Sequence, residues 1–170
     1  TTSSTVVMVL GDAIAVALMK MRGFTLTDYA QLHPGGQLGK RLIMTVADAM
    51  LKGDDNPMIN ISDSMKHCIL EISNKQTGVV SVVNNDGKLL GLVTDYDIRK
   101  HLEKEENIFS MKIEEIMNSK PISIYDDEKA FSALQIMQER EKPITVLPVI
   151  NRKDVVIGIL RLQDLVKVGL

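Results

Sequence analysis

Tryptophan is absent from this 170-residue chain, cysteine occurs once, and Phe and Tyr occur three times each. A single Cys68 excludes an internal disulfide. With Ile69 and Leu70 beside it, Cys68 reads as a buried helical thiol rather than a reactive one. Charge of one sign is scarce too: 20 basic against 22 acidic side chains leave a net charge of −2. With no Lys/Arg cluster, the electrostatic case for a nucleic-acid partner falls away. The longest apolar run, Val6 to Met19, contains Asp12 and reads as too short to span a bilayer. It has no basic leader or cleavage site, so it is not read as a signal peptide. The chain lacks a Gly-rich phosphate loop, a metal-ligand cluster and a nucleophile–base pair. The expectation is a cytoplasmic protein with no membrane partner and no metal or catalytic cofactor. What is present, 45% hydrophobic and 25% charged residues, suits an ordinary globular chain of one large or two small domains.

The dominant pattern is an internal repeat. Gly91-Leu92-Val93-Thr94-Asp95-Tyr96-Asp97 returns as Gly158-Ile159-Leu160-Arg161-Leu162-Gln163-Asp164, a shift of 67 positions. Met50, closing Asp48-Ala49-Met50, returns at the same shift as Met117, closing Glu115-Ile116-Met117. Such self-similarity marks one supersecondary unit used twice, each copy covering the other's apolar face. Residues 46–106 and 107–170 are the two units.

Within the first, Ser62-Asp63-Ser64 caps a helix from Met65, with Met65, Cys68, Ile69 and Ile72 facing inward. Strands at 79–83 and 89–93 flank a hairpin turn at Asn84–Gly87, and a helix over 95–102 closes the unit. Its charged surroundings run on through Glu105 and Glu106 as a solvated linker. The second unit repeats the plan: a short helix at 111–117, an extended Pro121–Ile124, and a helix capped by Asp126 or Asp127. A strand at 144–150 contains Pro148, which argues for a sheet edge or bulge. The fold class is α/β of the α+β type, each repeat a small sheet with helices on one side, related by a pseudo-twofold.

Residues 1–45 read differently. Ser4 or Thr5 is a candidate N-cap for a helix from Val6 to about Met21, apolar on nearly every face. A helix apolar all round calls for burial, and too few residues follow to wrap it. The expectation is that it belongs to a domain whose remainder lies elsewhere, or to an intimate oligomer. Arg22 and Gly23 suit a helix C-terminus. Thr25 to Asp28 forms a capping box, and Pro34 stops the short helix that follows. His33, before Gly35-Gly36, is placed either to transfer protons or simply to bond local carbonyls at a helix end.

Gly11-Asp12-Ala13-Ile14-Ala15-Val16-Ala17-Leu18, Arg22-Gly23-Phe24, His33-Pro34-Gly35-Gly36 with Leu38-Gly39, and Asp48-Ala49-Met50 together resemble the arabinose-5-phosphate isomerase family. The resemblance covers the whole chain, and the His-Pro-Gly-Gly segment is its most specific part. It implies that residues 1–45 are the helical tail of a sugar-isomerase (SIS) domain, followed by a tandem pair of cystathionine-β-synthase-type (CBS) domains. The implied reaction is aldose–ketose isomerisation between D-ribulose 5-phosphate and D-arabinose 5-phosphate, feeding Kdo synthesis. His33 would be one of four catalytic positions. The others, a Lys and two Glu, fall upstream of this chain, which is therefore expected to be inactive alone. CBS pairs commonly dimerise, and the complete enzyme would be a tetramer.

The repeated strand–helix junction admits two readings. Thr94-x-x-Asp97 is a capping box contributing about 1 kcal/mol. It is also a ligand grip, with the helix N-terminus meeting a phosphate and the Asp97 carboxylate meeting two ribose hydroxyls. The second reading follows the Ser/Thr-x-x-Asp of nucleotide-binding CBS domains. In repeat two Arg161 replaces the hydroxyl residue while Asp164 stays, which offers a guanidinium to a phosphate or carboxylate. Thr94, Asp97, Arg161 and Asp164 are thus the candidate ligand residues. CMP-Kdo, AMP and ATP are the candidate ligands. A non-catalytic nucleotide-binding module and a purely structural dimerisation unit are the alternatives.

Overall fold

The computed structural model describes residues 1–33, 35–104 and 107–170, with the side chains of Thr27, Gln37 and Leu38 left aside. The helix stop assigned to Pro34 and the linker charges at Glu105 and Glu106 lie outside the described residues. The chain divides into two compact units, Thr1–Ile43 and Met44–Leu170.

The first unit holds three helices, α1 (Thr2–Met21), α2 (Leu26–Leu32) and α3 (Gln37–Ile43). α1 begins earlier than expected, and neither Ser4 nor Thr5 caps it. Both hydroxyls lie inside the first turn, where Ser4 Oγ meets Thr1 Oγ1 at 2.9 Å and Thr5 Oγ1 bonds back to the Thr1 carbonyl at 3.4 Å. No residue of α1 is buried, and Val6, Val7, Met8 and Val9 are more than half exposed. Nor is the segment too short for a bilayer: by length and composition the 20-residue helix could cross one, as could the core helix of a soluble protein. Gly23 ends α1 at φ +63, with the Phe24 amide donating to Met19 O at 2.9 Å. The Thr25–Asp28 capping box forms, Asp28 Oδ2 accepting from the Thr25 amide and hydroxyl, both at 2.7 Å.

The second unit runs α4 (Val46–Ala49), β1 (Leu51–Lys52), β2 (Met58–Asn60), α5 (Met65–Lys75), β3 (Val79–Val83), β4 (Leu89–Thr94) and α6 (Asp95–Leu102). It continues with α7 (Ile113–Ile116), β5 (Ile124–Tyr125), α8 (Ala130–Gln138), β6 (Val146–Ile150), β7 (Val156–Arg161) and α9 (Leu162–Lys167). One sheet has the order β2-β3-β4, the other β1-β7-β6-β5. In each, a parallel pair precedes an antiparallel hairpin. Asn84 and Asn151 close the two hairpins alike, each side-chain oxygen accepting two backbone amides.

The leading elements are exchanged between repeats. β1 pairs with β7, Leu51 opposite Ile159, and Asn118 forms the corresponding bridge with Leu92, their backbone bonds 2.9 and 3.0 Å long. α7 buries Ile113 and Ile116 in the core of the first repeat, among Met65, Cys68, Val80 and Val93. α4 returns the exchange, burying Val46 and Ala49 with Met137, Leu147, Leu160 and Leu165 of the second. Neither core is complete without a segment from the other copy, so the pseudo-twofold is enforced by burial. A third cluster, Val79, Leu92 and Ile159, joins the sheets.

One local expectation yields to this exchange, and another is met in one of its two forms. α8 is capped neither by Asp126 nor by Asp127; its N-cap is Lys129, paired with Thr45 as an isolated bridge. The backbone of 126–130 is drawn into bonds with the exchanged segment: Val46 N to Glu128 O at 2.8 Å, Ala47 N to Asp126 O at 3.0 Å, Ala130 N to Met44 O at 3.0 Å. Asp127 instead takes the Arg152 guanidinium at 2.8 Å. Pro148 lies in β6, an interior strand, so of the edge and the bulge expected for it the structure has the bulge, a register shift between Val149 and Ile150. Its place is tolerated because β5 begins opposite Val149, one residue later, and the β6–β7 register shifts just beyond.

Candidate functional site

Each hairpin returns toward the sheet junction and breaks into a short helix, which sets Thr94 at the N-cap of α6 and Arg161 at the N-cap of α9. Thr94 is extended at φ −116, so its amide and hydroxyl both face the first turn. Asp97 Oδ2 accepts from the Thr94 amide at 2.9 Å and from its hydroxyl at 2.6 Å, and the Asp97 amide donates to Thr94 Oγ1 at 3.3 Å. The capping box is therefore real. It uses only one carboxylate oxygen, and among the described residues Oδ1 takes no hydrogen bond. Oδ1 keeps its full accepting capacity.

Thr94 and Asp97 line a cleft of about 410 Å³. Leu92, Pro121, Ile122, Pro143 and Val146 give it apolar walls, while Asn118, Lys120 and Thr145 add polar groups. The exchange creates this cleft, because Asn118 to Ile122 of repeat two are carried against β4 of repeat one. The size suits a small molecule. A ligand there would meet a carboxylate oxygen, a Lys amine and an apolar slot.

Repeat two departs from its mate. Arg161 Nε donates to Asp164 Oδ2 at 2.7 Å and Nη2 to Oδ1 at 2.8 Å, a two-pronged clasp. The two side chains retain 12% and 7% of their surface. Arg161 Nη1 reaches the Gln76 carbonyl at 3.5 Å, and Gln163 fits best with its amide oxygen toward the guanidinium, 2.8 Å from Nη1. The hydrogen bonds Arg161 donates to Asp164 raise its pKa above the ordinary value against the opposing effect of burial. The guanidinium expected to meet a ligand anion is thus engaged by its own repeat's Asp164 and by the Gln76 carbonyl of the first repeat.

The four candidates are not gathered in one place. Thr94 and Arg161 share a wide groove of about 850 Å³ between α6 and α9, with Tyr96, Arg99, Leu162 and Lys167. Asp97 opens into the smaller cleft and Asp164 lines neither. Sequence reasoning missed Asn118, Lys120 and Thr145 as cleft residues. The signal available was the shift of 67, which makes 118–122 the mate of 51–55 and so of the segment that crosses between copies.

His33 sits in the other unit as the exposed C-cap of α2. Its Nδ1 lies 3.3 Å from Tyr29 O and its ring stacks on Tyr29 with centroids 4.5 Å apart. Among the described residues, no group of three or more His, Cys, Asp or Glu is arranged to hold a metal ion.

The family model of the CBS domain matches residues 46–104 and 113–170. The chain is 40% identical over 170 residues to arabinose 5-phosphate isomerase KdsD of Francisella tularensis, covering 100% of this chain and 51% of that protein. It is 36% identical over 164 residues to arabinose 5-phosphate isomerase KpsF of Escherichia coli, covering 96% and 49%. The chain thus spans about half the length of these curated relatives. Among solved structures, the CBS domain pair of protein MJ0100, crystallised with 5′-methylthioadenosine and S-adenosyl-L-methionine, superposes with a TM-score of 0.64 at 25% identity, covering 74% of this chain and 94% of that one.

Proposed function

The chain belongs to the CBS-domain family, and we propose that its paired repeats are the ligand-sensing regulatory part of an aldose–ketose isomerase acting on D-arabinose 5-phosphate and D-ribulose 5-phosphate. The observation that carries the sensing half is that Asp97, whose Oδ1 takes no hydrogen bond among the described residues, lines a largely apolar cleft with Lys120 at its wall. A vicinal diol matches that oxygen, a planar base matches Leu92, Ile122 and Val146, and an anionic group matches Lys120. A nucleoside phosphate or sugar nucleotide has all three, with AMP, ATP and CMP-Kdo as the candidates. The ligand bound by the MJ0100 pair is of the same nucleoside type.

The isomerase half rests on the relatives that match this chain end to end. In that reading residues 1–45 are the tail of the SIS domain, and the exposed apolar surface of α1 is covered in the complete enzyme. His33 acts there as one acid–base group, whose partners this sequence does not contain. Residues 46–106 and 107–170 are the two CBS domains; they pair as a homodimer inside a cytoplasmic tetramer. The 170-residue chain alone has no isomerase activity, and activity in it would overturn the split-site reading.

Calorimetry with AMP, ATP and CMP-Kdo on the chain and on Asp97→Ala tests the cleft. Binding by the chain and its loss in the variant is the expected result; equal binding by both overturns it. The competing reading, a structural dimerisation unit with an idle capping box, is favoured by the closed Thr94–Asp97 bonds and predicts no heat with any of the three.

A further inference from the structure

We propose that Arg161 makes the two halves of the pair unequal, engaging the Asp164 carboxylate so that the chain takes one nucleoside ligand and not two. The inference deepens the sensing function and rests on it for the identity of the first site. The argument is a comparison of two carboxylates at matched positions. Asp97 spends Oδ2 on its cap and keeps Oδ1. Asp164 spends both, Oδ2 on Arg161 Nε at 2.7 Å and Oδ1 on Nη2 at 2.8 Å. Lys167 Nζ stands a further 3.8 Å from Oδ1.

A diol approaching Asp164 as its mate would approach Asp97 has to displace a bidentate, charge-assisted pair whose side chains keep 12% and 7% of their surface. Separating such a pair leaves two buried charges, which is far costlier than the one or two neutral hydrogen bonds a diol returns. The guanidinium also occupies space, since its Nη1 extends to the Gln76 carbonyl. A second difference acts the same way on a phosphate. The shift of 67 makes Gly53-Asp54-Asp55 the mate of Lys120-Pro121-Ile122, so two carboxylates replace the amine and apolar groups of the first cleft. Arg161 is therefore the specificity-determining residue for the diol, and a hydroxyl at its position is the change that would free Asp164 to meet one.

The test uses adenosine, which carries the diol without a phosphate and so avoids the acidic mate segment. Stoichiometry is measured by equilibrium dialysis on the full chain, on Asp97→Ala, on Arg161→Thr, and on the double variant. Expected values are one, none, two and one per chain. Two sites in the unsubstituted chain overturn the proposal, as does binding in Asp97→Ala that Asp164→Ala removes. A double variant that binds nothing overturns it as well. If the unsubstituted chain binds no adenosine while the double variant does, the Thr94–Asp97 sensing reading fails and the assignment to Arg161 stands. Arg161→Ser supplies the same hydroxyl should the Thr variant not fold. In the unsubstituted protein the Arg161 Nε–H signal should exchange slowly and shift in Asp164→Asn; a freely exchanging signal refutes the clasp without any ligand.

Discussion

The Met117 sulfur lies so close to Gly91 that a Cβ built on Gly91 would sit 2.5 Å from it. The mate contact is Met50 against Gly158, where a Cβ would lie 2.7 Å from the sulfur and 2.6 Å from the Leu51 carbonyl. Each glycine belongs to one repeat's return strand and each methionine to the segment contributed by the other. The two residue types that recur at a fixed shift are thus the two faces of one contact, made twice in opposite directions.

Substitution of these glycines should therefore destabilise by overpacking, about 1–3 kcal/mol in each case. Gly158→Ala should cost more than Gly91→Ala, because its nearest neighbour is a backbone carbonyl and not a flexible thioether. Met117→Ala should recover part of the loss in Gly91→Ala, whereas Met50→Ala should leave Gly158→Ala largely unrepaired. Urea denaturation of the four single and two double variants reads this directly.

Ser81 is fully buried in β3, and its hydroxyl has no protein partner among the described residues. At the mate position stands Pro148, which has no polar side chain at all. Ser81→Ala should be neutral or raise stability by about 1 kcal/mol, since it removes an unmet polar group and leaves only a small gap. A loss of that size in the same denaturation experiment would show the hydroxyl to be bonded.

Burial pushes the Cys68 thiol up to about 12 from an ordinary value of 9.0. A thiol-specific disulfide reagent at pH 8 should leave the folded chain untouched and label it fully in urea. The sign of the linkage follows: the unfolded chain ionises first as pH rises, so stability is full below about pH 9 and falls between there and about 12. The slope should approach about 1.4 kcal/mol per pH unit, and Cys68→Ala should flatten it.

At the acid end, the Thr45 amide and hydroxyl hold the Asp48 carboxyl below its ordinary value, assisted by Lys52 and Lys129. Its contribution is present above the usual carboxylate range and lost as pH falls through the lowered folded value. Asp48 is exposed, so the effect should be modest and weaken in salt. Asp48→Asn should lower stability at pH 7 and shrink the difference from the parent near pH 2, followed by thermal melting.

Several features were legible along the chain because they are local. The hairpins at Asn84 and Asn151, the inward stripe of α5 and the Thr94–Asp97 box each need only a few consecutive residues, and periodicity or a cap signal exposes them. The caps proposed at Ser4, Thr5, Asp126 and Asp127 failed where another partner outcompeted the local one. Hydroxyls of α1 bonded back to Thr1, and near α8 the Ala130 amide and the Asp126 and Glu128 carbonyls were taken by a segment more than 75 residues away.

The sequence by itself determined that one unit is used twice, where its strands and helices lie, and that the junctions at Thr94 and Arg161 differ. Tertiary structure alone decided which segment completes which core, and with it that Asn118 and Lys120 line the cleft of Asp97. It also decided that Arg161 turns to its own Asp164 instead of outward. The reason is that a repeat fixes what each copy contains, whereas burial, by exchanging α4 and α7 across the pair, fixes which copy's side chains meet.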